Sequence, residues 1–465
     1  MDYKQKYLKY KQKYLRLLKD QKGGEPFLTD IIAGLVFSYL FERNQRQLQL
    51  ILTGRSPVMV QPFGNFTLNP KYRLEILSRS GLSIVLATRL VQSDRRNNRL
   101  ELELATRIMF RTLKLPKISP PTLAVTLNKR NGMHTDIIWS FTFHPTLPFF
   151  ATGSSDKTAK LFRFLPDGSK ATCVATLVGH NRPIMSVAFH TSLPFLATGS
   201  YDKSVKLWRL DNLDVSKVEA TCVATLDSDK GGHSNCIYSV AFHPNVPILV
   251  TSSDDNTVKL WRLVYTPDGS AIEATCVATL DSHNGGHNNS VRSVKFHPTL
   301  KILATCSIDH TAKLWSFSSD GSIVTCVATL TGHSKPIISA AFHSTLPFLA
   351  TGSSDQTAKL WRLVYTPDDS ISTATCVATL EEHKSYVYSV SFHSTLPILS
   401  TGSNDNTVKL WSFSPNGLKV KSNCIATMDK DNGGHKKAVR SVMFHPSLPL
   451  LATCSEDYFV KLWKL

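Results

Sequence analysis

Seven times along the 465-residue chain a His is followed 18 residues later by a Thr, 22 later by an Asp and 28 later by an aromatic residue. The sets are His134/Thr152/Asp156/Phe162, His180/Thr198/Asp202/Trp208, His233/Thr251/Asp255/Trp261, His287/Thr305/Asp309/Trp315, His333/Thr351/Asp355/Trp361, His383/Thr401/Asp405/Trp411 and His435/Thr453/Asp457/Trp463. An imidazole beside a carboxylate is the pairing of acid–base chemistry. A catalyst needs one such site, however, and a pair copied seven times on a fixed ruler is scaffold. Successive Asp residues lie 46, 53, 54, 46, 50 and 52 apart, so length varies only between units, where loops tolerate it.

These units resemble WD40 repeats, and the resemblance runs from about residue 121 to 465. It implies that each unit is one four-stranded blade of a β-propeller. It also implies a hydrogen-bonded tetrad in which the Asp holds the His, the His meets the Thr hydroxyl, and the Thr meets the Trp indole. A buried imidazole, hydroxyl and indole must each find a partner, so the residue types suit that role. Two departures stand out. Phe162 has no N–H to donate, which makes the first blade the expected weak point and a Trp there an expected gain. The Trp-Asp dipeptide itself is absent, because each tetrad Trp is followed by Arg, Ser or Lys.

The elements that must position these residues read directly from period-2 patterns. Ser186 to His190, "SVAFH", and its six relatives form one strand ending in Phe-His; "PFLATGS" gives a second, "TAKLWRL" a third and "TCVATL" a fourth. Pro166-Asp167-Gly168 and similar turns separate the third from the fourth. Fourth strands precede tetrads two to seven, at Cys173, Cys222, Cys276, Cys326, Cys376 and Cys424, while the last unit stops after its third strand at Leu465. Thr122 to Leu127, "TLAVTL", has the missing pattern and lies just before the first tetrad His. The expectation is an all-β, seven-bladed ring whose last blade is completed by this N-terminal outer strand, which removes two sheet edges at once.

Hydrophobic residues at 42% and charged residues at 19% fit a globular array with ample core. Six of the nine Cys occupy equivalent positions on different blades, and Cys236, Cys306 and Cys454 sit in strand patterns, so disulfides are not expected and a reducing, intracellular compartment fits. His283 and His287 have a helix-like spacing, but the Asn284-Gly285-Gly286 between them makes a loop, and no metal or cofactor is expected. The remaining His residues are His310 and seven at Phe-His corners (His144, His190, His243, His297, His343, His393 and His445). The corner His residues either end a strand before a turn or respond to mild acid.

Most of the net charge of +18 lies outside the repeats: residues 1–120 hold 22 Lys+Arg against 9 Asp+Glu, and residues 121–465 hold 31 against 26. Three segments precede the ring. Residues 1–22 contain "YKQKYLK" and "YKQKYLR", which place Tyr3, Tyr7, Tyr10, Tyr14 and Leu17 on one helical stripe and Lys4, Lys6, Lys11 and Lys13 off it. Such Tyr/Lys heptads resemble the starts of many proteins encoded by giant DNA viruses, which would place the chain in a host cytoplasm. The segment is either a tag for nucleic acid or anionic lipid or a solvated basic helix. Within residues 25–120, a mostly helical region of unassigned fold, the apolar run Ile31 to Phe41 is too short to span a bilayer. Residues 26–56 loosely resemble an F-box, whose implied partner is a ubiquitin-ligase adaptor, although Pro26 precedes Phe27-Leu28 where the family has Leu before Pro.

In WD40 proteins the face at the inner-strand starts commonly grips peptides or partner domains. By resemblance the contact positions lie three and five residues after each tetrad His and one before each tetrad Asp. Here they include Trp139, Met185, Tyr201, Tyr238, Arg292, Ile308, Ile338, Tyr386, Tyr388 and Arg440, rich in the residue types that dominate interfaces. The expected function is a non-enzymatic protein–protein interaction scaffold, with a ubiquitin-ligase substrate receptor, or nucleic-acid or membrane association through residues 1–22, as alternatives.

Overall fold

The structure is a computed structural model that describes residues 120–465 apart from 214–217, 267–271, 367–370, 415–419 and 421. The heptad segment 1–22, the F-box-like segment 26–56 and the rest of the basic N-terminal region lie outside the described residues. Seven antiparallel four-stranded sheets form the blades of a β-propeller. Blade 1, for example, runs outward through Ile138–Phe143, Phe149–Ser154, Thr158–Phe164 and Ala171–Val178. Blade 7 takes its outer strand from the other end of the repeat array. Thr122–Leu127 pairs antiparallel with Val460–Lys464, Leu127 opposite Val460 and Thr122 opposite Lys464, with an irregularity between Leu123 and Val125.

Each blade is pinned by its tetrad. The His Nδ1–H donates to the Asp carboxylate at 2.7–2.9 Å and the His Nε2 meets the Thr Oγ1 at 2.6–2.9 Å in all seven. In blades 2 to 7 the Trp Nε1–H donates to the same Thr hydroxyl at 2.8–3.0 Å. The other carboxylate oxygen accepts from the backbone N–H two residues on, as Asp156 does from Thr158 at 3.0 Å. This closes the turn around a left-handed residue such as Lys157 (φ 68°). Burial works against ionisation of these Asp residues. Hydrogen bonds and charge from the His, with the hydroxyl or N–H two residues on, outweigh it and hold each carboxyl well below the usual range.

The tetrad side chains are interior groups. Thr152, Thr198, Thr251, Thr305, Thr351, Thr401 and Thr453 are fully buried at 0% exposure, and Trp208, Trp261, Trp315, Trp361, Trp411 and Trp463 are buried at 3% or less. They are structural groups, as the spacing implies: each hydroxyl and indole is sealed inside its sheet and bonded to a tetrad partner. The spacing that singles them out marks the inside of a blade, and their part in function is confined to holding the turns above them.

Blade 1 solves its missing indole by repacking. Phe162 is fully buried and stacks on its cross-strand partner Phe150, with centroids 5.0 Å apart and planes 9° from parallel. Every other blade pairs a Leu with its Trp at this point, such as Leu196 with Trp208 and Leu249 with Trp261. Phe plus Phe therefore fills about the volume of Leu plus Trp.

The blades are joined by features that recur with the repeat. The third residue of each inner strand is a Ser, and at five seams its hydroxyl accepts the N–H of the next blade's inner strand. Val187 reaches Ser140, Val240 reaches Ser186, Val294 reaches Ser239, Val390 reaches Ser339 and Val442 reaches Ser389, at 3.0–3.3 Å. The close approach also constrains the second strand, since a Cβ on Gly199 would lie 2.7 Å from Ile237 of the next blade.

The seven corner His residues form a second ring. Each packs against the inner-strand Phe of the next blade, from His144 on Phe189 round to His445 on Phe143, with centroids 4.7–5.3 Å apart. Each Nδ1 accepts two backbone N–H groups, as His190 does from Ser192 and Leu193 at 3.2 and 3.0 Å. Burial lowers the pKa of all seven, to about 4 in six of them. They are seam residues held neutral, and in the folded ring they do not titrate in mild acid.

Three outcomes are expected. Deleting residues 1–115 should leave a cooperatively unfolding ring, whereas deleting 1–127 exposes the edges of blade 7 and should aggregate on size-exclusion chromatography. An equally stable monomer from the longer deletion would contradict the closure. Phe162→Trp alone should overpack against Phe150 and cost about 1–3 kcal/mol. Combined with Phe150→Leu it should recover and gain about 0.5–1.5 kcal/mol from the restored indole bond, which a denaturant-melt double-mutant cycle measures. Finally, the unfolded chain takes up protons on its corner His residues near pH 6.5 while the folded rings stay neutral to about 4. Stability should therefore be complete above pH 6.5 and fall steadily between 6.5 and 4, before the tetrad carboxylates begin to protonate. A melting temperature flat across that interval would show that the rings carry no such linkage.

Candidate functional site

The seven inner strands contact one another round a closed circle and enclose a central channel. At the end where the tetrads lie, the second residue of each inner strand points to the mouth: Trp139, Met185, Tyr238, Arg292, Ile338, Tyr388 and Arg440. An irregularity after the first residue of every inner strand sets this position. It falls where the strand departs from regular pairing, so its side chain escapes the core that the first, fourth and sixth residues enter. Tyr201 and Ile308 arrive from the turns before their tetrad Asp residues, and Tyr386 from the loop before Val387.

The ring brings seven of the ten expected residues into two clusters. In the first, Tyr201 meets Tyr238 edge-on across the seam of blades 2 and 3, centroids 5.6 Å apart, with the Tyr201 hydroxyl donating to that of Tyr238 at 3.5 Å. The guanidinium of Arg292, from blade 4, lies 3.7 Å from the centroid of Tyr238. Burial and the Tyr201 hydrogen bond push the Tyr238 phenol well above its ordinary pKa, so it stays protonated. In the second cluster Arg440 of blade 7 lies 3.9 Å from the centroid of Tyr388 and 4.5 Å from that of Trp139, bridging blades 6 and 1. Tyr386 packs edge-on against Tyr388 at 6.2 Å. Met185, Ile308 and Ile338 are half-buried on the same rim and bring no ring or charge to either cluster.

Several partners of these residues were not among the sequence candidates. Arg440 Nε donates to Glu456 Oε1 at 2.8 Å, Trp139 Nε1 to Ser155 Oγ at 2.6 Å and the Tyr388 hydroxyl to Asn404 Oδ1 at 3.3 Å. Glu456, Ser155 and Asn404 all stand one residue before a tetrad Asp. They occupy the same ruler position as the candidates Tyr201 and Ile308, and their short polar or acidic side chains gave no interface signal in the sequence. The aromatics are also less exposed than surface anchors: Tyr386 is 41% exposed, and Trp139, Tyr201, Tyr238 and Tyr388 are half-buried.

Among the described residues no cluster of three His, Cys, Asp or Glu could hold a metal ion, and no helix is long and apolar enough to cross a membrane. The nine Cys are free; Cys173 and its five counterparts sit beside the tetrad aromatic on outer strands of six different blades.

The family model for the WD domain, G-beta repeat, matches residues 128–163, 171–209, 220–262, 274–316, 324–362, 374–412 and 422–464. From the second match on, each unit takes in the outer strand that completes the preceding blade. Similar proteins include the Polycomb group protein FIE1 of Zea mays, 34% identical over 20% of this chain and 18% of that protein. Protein CIA1 of Arabidopsis thaliana is 33% identical over 21% of this chain and 28% of its own length. A probable cytosolic iron-sulfur protein assembly protein 1 of Candida glabrata is 28% identical over 42% of each chain. The chain thus spans less than half the length of these curated relatives.

Proposed function

The chain belongs to the WD40 repeat family, and we propose that it is a non-enzymatic scaffold that recruits a partner protein or peptide on the tetrad-side mouth of its propeller. A WD40 propeller fits a protein-interaction scaffold. The observation that carries the finer reading is the pair of aromatic and Arg clusters, each assembled from three blades at one rim. Large rings fixed by neighbours lose little entropy when a partner lands, and such residues anchor interfaces. The relatives' names point in two unrelated directions, a Polycomb group and iron-sulfur assembly, so they inform the fold and leave the partner open.

The test is affinity purification with the double variant Tyr238→Ala/Tyr388→Ala and, separately, Tyr386→Ala, whose exposed ring contributes little to folding. Both should lose a captured partner at least tenfold, since an interface anchor is worth ~2 kcal/mol or more. The control is Val264→Ala/Ile323→Ala, exposed positions at the opposite end of blades 3 and 4; the corner His residues do not serve, because they hold the seams. Capture that survives the Tyr changes and fails in the control would move the binding surface to the opposite end.

A further inference from the structure

Blade 4 differs from the other six at the mouth. Its inner strand, Val291–Phe296, carries two cations, Arg292 at the second position and Lys295 at the fifth. At the fifth position the other inner strands carry Thr142, Ala188, Ala241, Ala341, Ser391 and Met443, so Lys295 is the one charge that the inner strands place at that level. The Lys295 side chain is surrounded by protein on every side yet keeps accessible surface, as expected of a group standing in the channel. The side chain is exposed, and desolvation by the protein packed round it lowers its pKa from the ordinary Lys value.

Among the described residues these cations lack counter-charges. Arg440, the corresponding Arg of blade 7, is neutralised by Glu456. Arg292 has no described carboxylate within ion-pair distance, and its buried Nε has no hydrogen-bond partner. The hydroxyl of Ser290, two residues earlier, is likewise buried and unpartnered. The acidic candidate on the neighbouring rim, Asp254 of blade 3, accepts instead from the Asn235 amide at 3.2 Å. Buried donors without acceptors are costly and uncommon, and two of them beside a channel Lys, all within six residues, mark a place where an acceptor belongs.

The identity of that acceptor follows from what is already filled. A cationic ligand would seek the faces of Tyr238, Tyr388 and Trp139, but Arg292 and Arg440 cover them and would repel it. The loops after the tetrad His residues add Arg182, Lys335, Lys384, Lys436 and Lys437 to the same face, against Asp136. Arg292 and Lys295 leave the backbone about 10 Å apart along the strand. That separation suits acidic side chains spaced along an extended chain better than a single small anion. Four of the six residues at the same level of the other inner strands, Ala188, Ala241, Ala341 and Ser391, are small.

We propose that Ser290, Arg292 and Lys295 form an anion-recognition site running from the mouth into the channel, which receives carboxylate side chains of an extended acidic peptide. The proposal rests on the mouth being the binding surface and names the chemistry of what binds there. Arg292 presents its unpaired donors to one carboxylate while its face stays on Tyr238, and Lys295 receives the next from below.

The experiment reads Lys295 directly in the full chain, so that binding elsewhere on the basic N-terminal region does not enter. Acylation of individual Lys residues by acetic anhydride is followed by mass spectrometry with and without a decaglutamate peptide, and with decalysine as the opposite probe. Decaglutamate should slow acylation of Lys295 at least threefold, decalysine should not, and Arg292→Gln should abolish the protection. Arg292→Lys, which keeps the charge and loses the fork, should retain part of it. Lys335→Gln, a charge removed from the same face, should change protection less than twofold. Unprotected Lys295, equal protection by decalysine, or protection unaltered in Arg292→Gln would each overturn the proposal. If Lys295 is unprotected while the Tyr238/Tyr388 variant still loses its partner, the anion site falls and the scaffold reading stands. Protection together with undiminished capture has the reverse meaning.

Discussion

The structure depends on one buried hydroxyl per blade. Each tetrad Thr is fully inaccessible and lies between an imidazole and, in six blades, an indole, so its two hydrogen-bonding functions are spent inside the sheet. That arrangement forces the rest: the His must carry its proton on Nδ1, an ionised Asp must receive it, and the turn holding the Asp must bend through a left-handed residue. Blade 1 shows what happens when one member is lost. Phe150 and Phe162 replace the missing bond with stacked apolar area, a substitution of packing for hydrogen bonding within the same volume.

Between blades the chemistry is different and equally periodic. Ser hydroxyls tie inner strand to inner strand near the channel, and corner His rings rest on Phe residues of the next blade at the far end. The corner His residues act as acceptors for two turn amides and as edge-on aromatics at once, and both roles require the neutral ring. A propeller whose termini were not tied together would leave this circle open at one seam. The strand Thr122–Leu127 closes it, being hydrogen-bonded to blade 7 and continuous in the chain with blade 1.

Because the scaffold is copied, function must come from positions the copying leaves free. The second residue of each inner strand is such a position: its neighbours are fixed by core and seam, while it varies from Trp to Met, Tyr, Arg and Ile. Placing it at the mouth lets residues from three blades meet without disturbing any sheet. Arg292 and Arg440 illustrate how a single difference then matters, for one has Glu456 beside it and the other has no described carboxylate. The same aromatic and cationic pairing is thereby neutral on one side of the mouth and positive on the other.

The number of blades, the strand order, the tetrads and the closing strand were all legible in the chain. Each is local, or repeats at a fixed interval, and a buried polar set leaves its spacing wherever it recurs. The sequence also indicated which positions line the mouth. It did not show which would touch: Trp139 and Arg440 are 301 residues apart, and only ring closure brings blade 7 against blade 1. Nor did it show the corner His residues as seam contacts, since the Phe each one meets belongs to the next unit. The stacking of Phe162 on Phe150 was likewise hidden, because compensation between two side chains is visible only once their shared volume is known. Spacing along the chain records what a unit does within itself, and what one unit does to another is decided by the curvature of the ring.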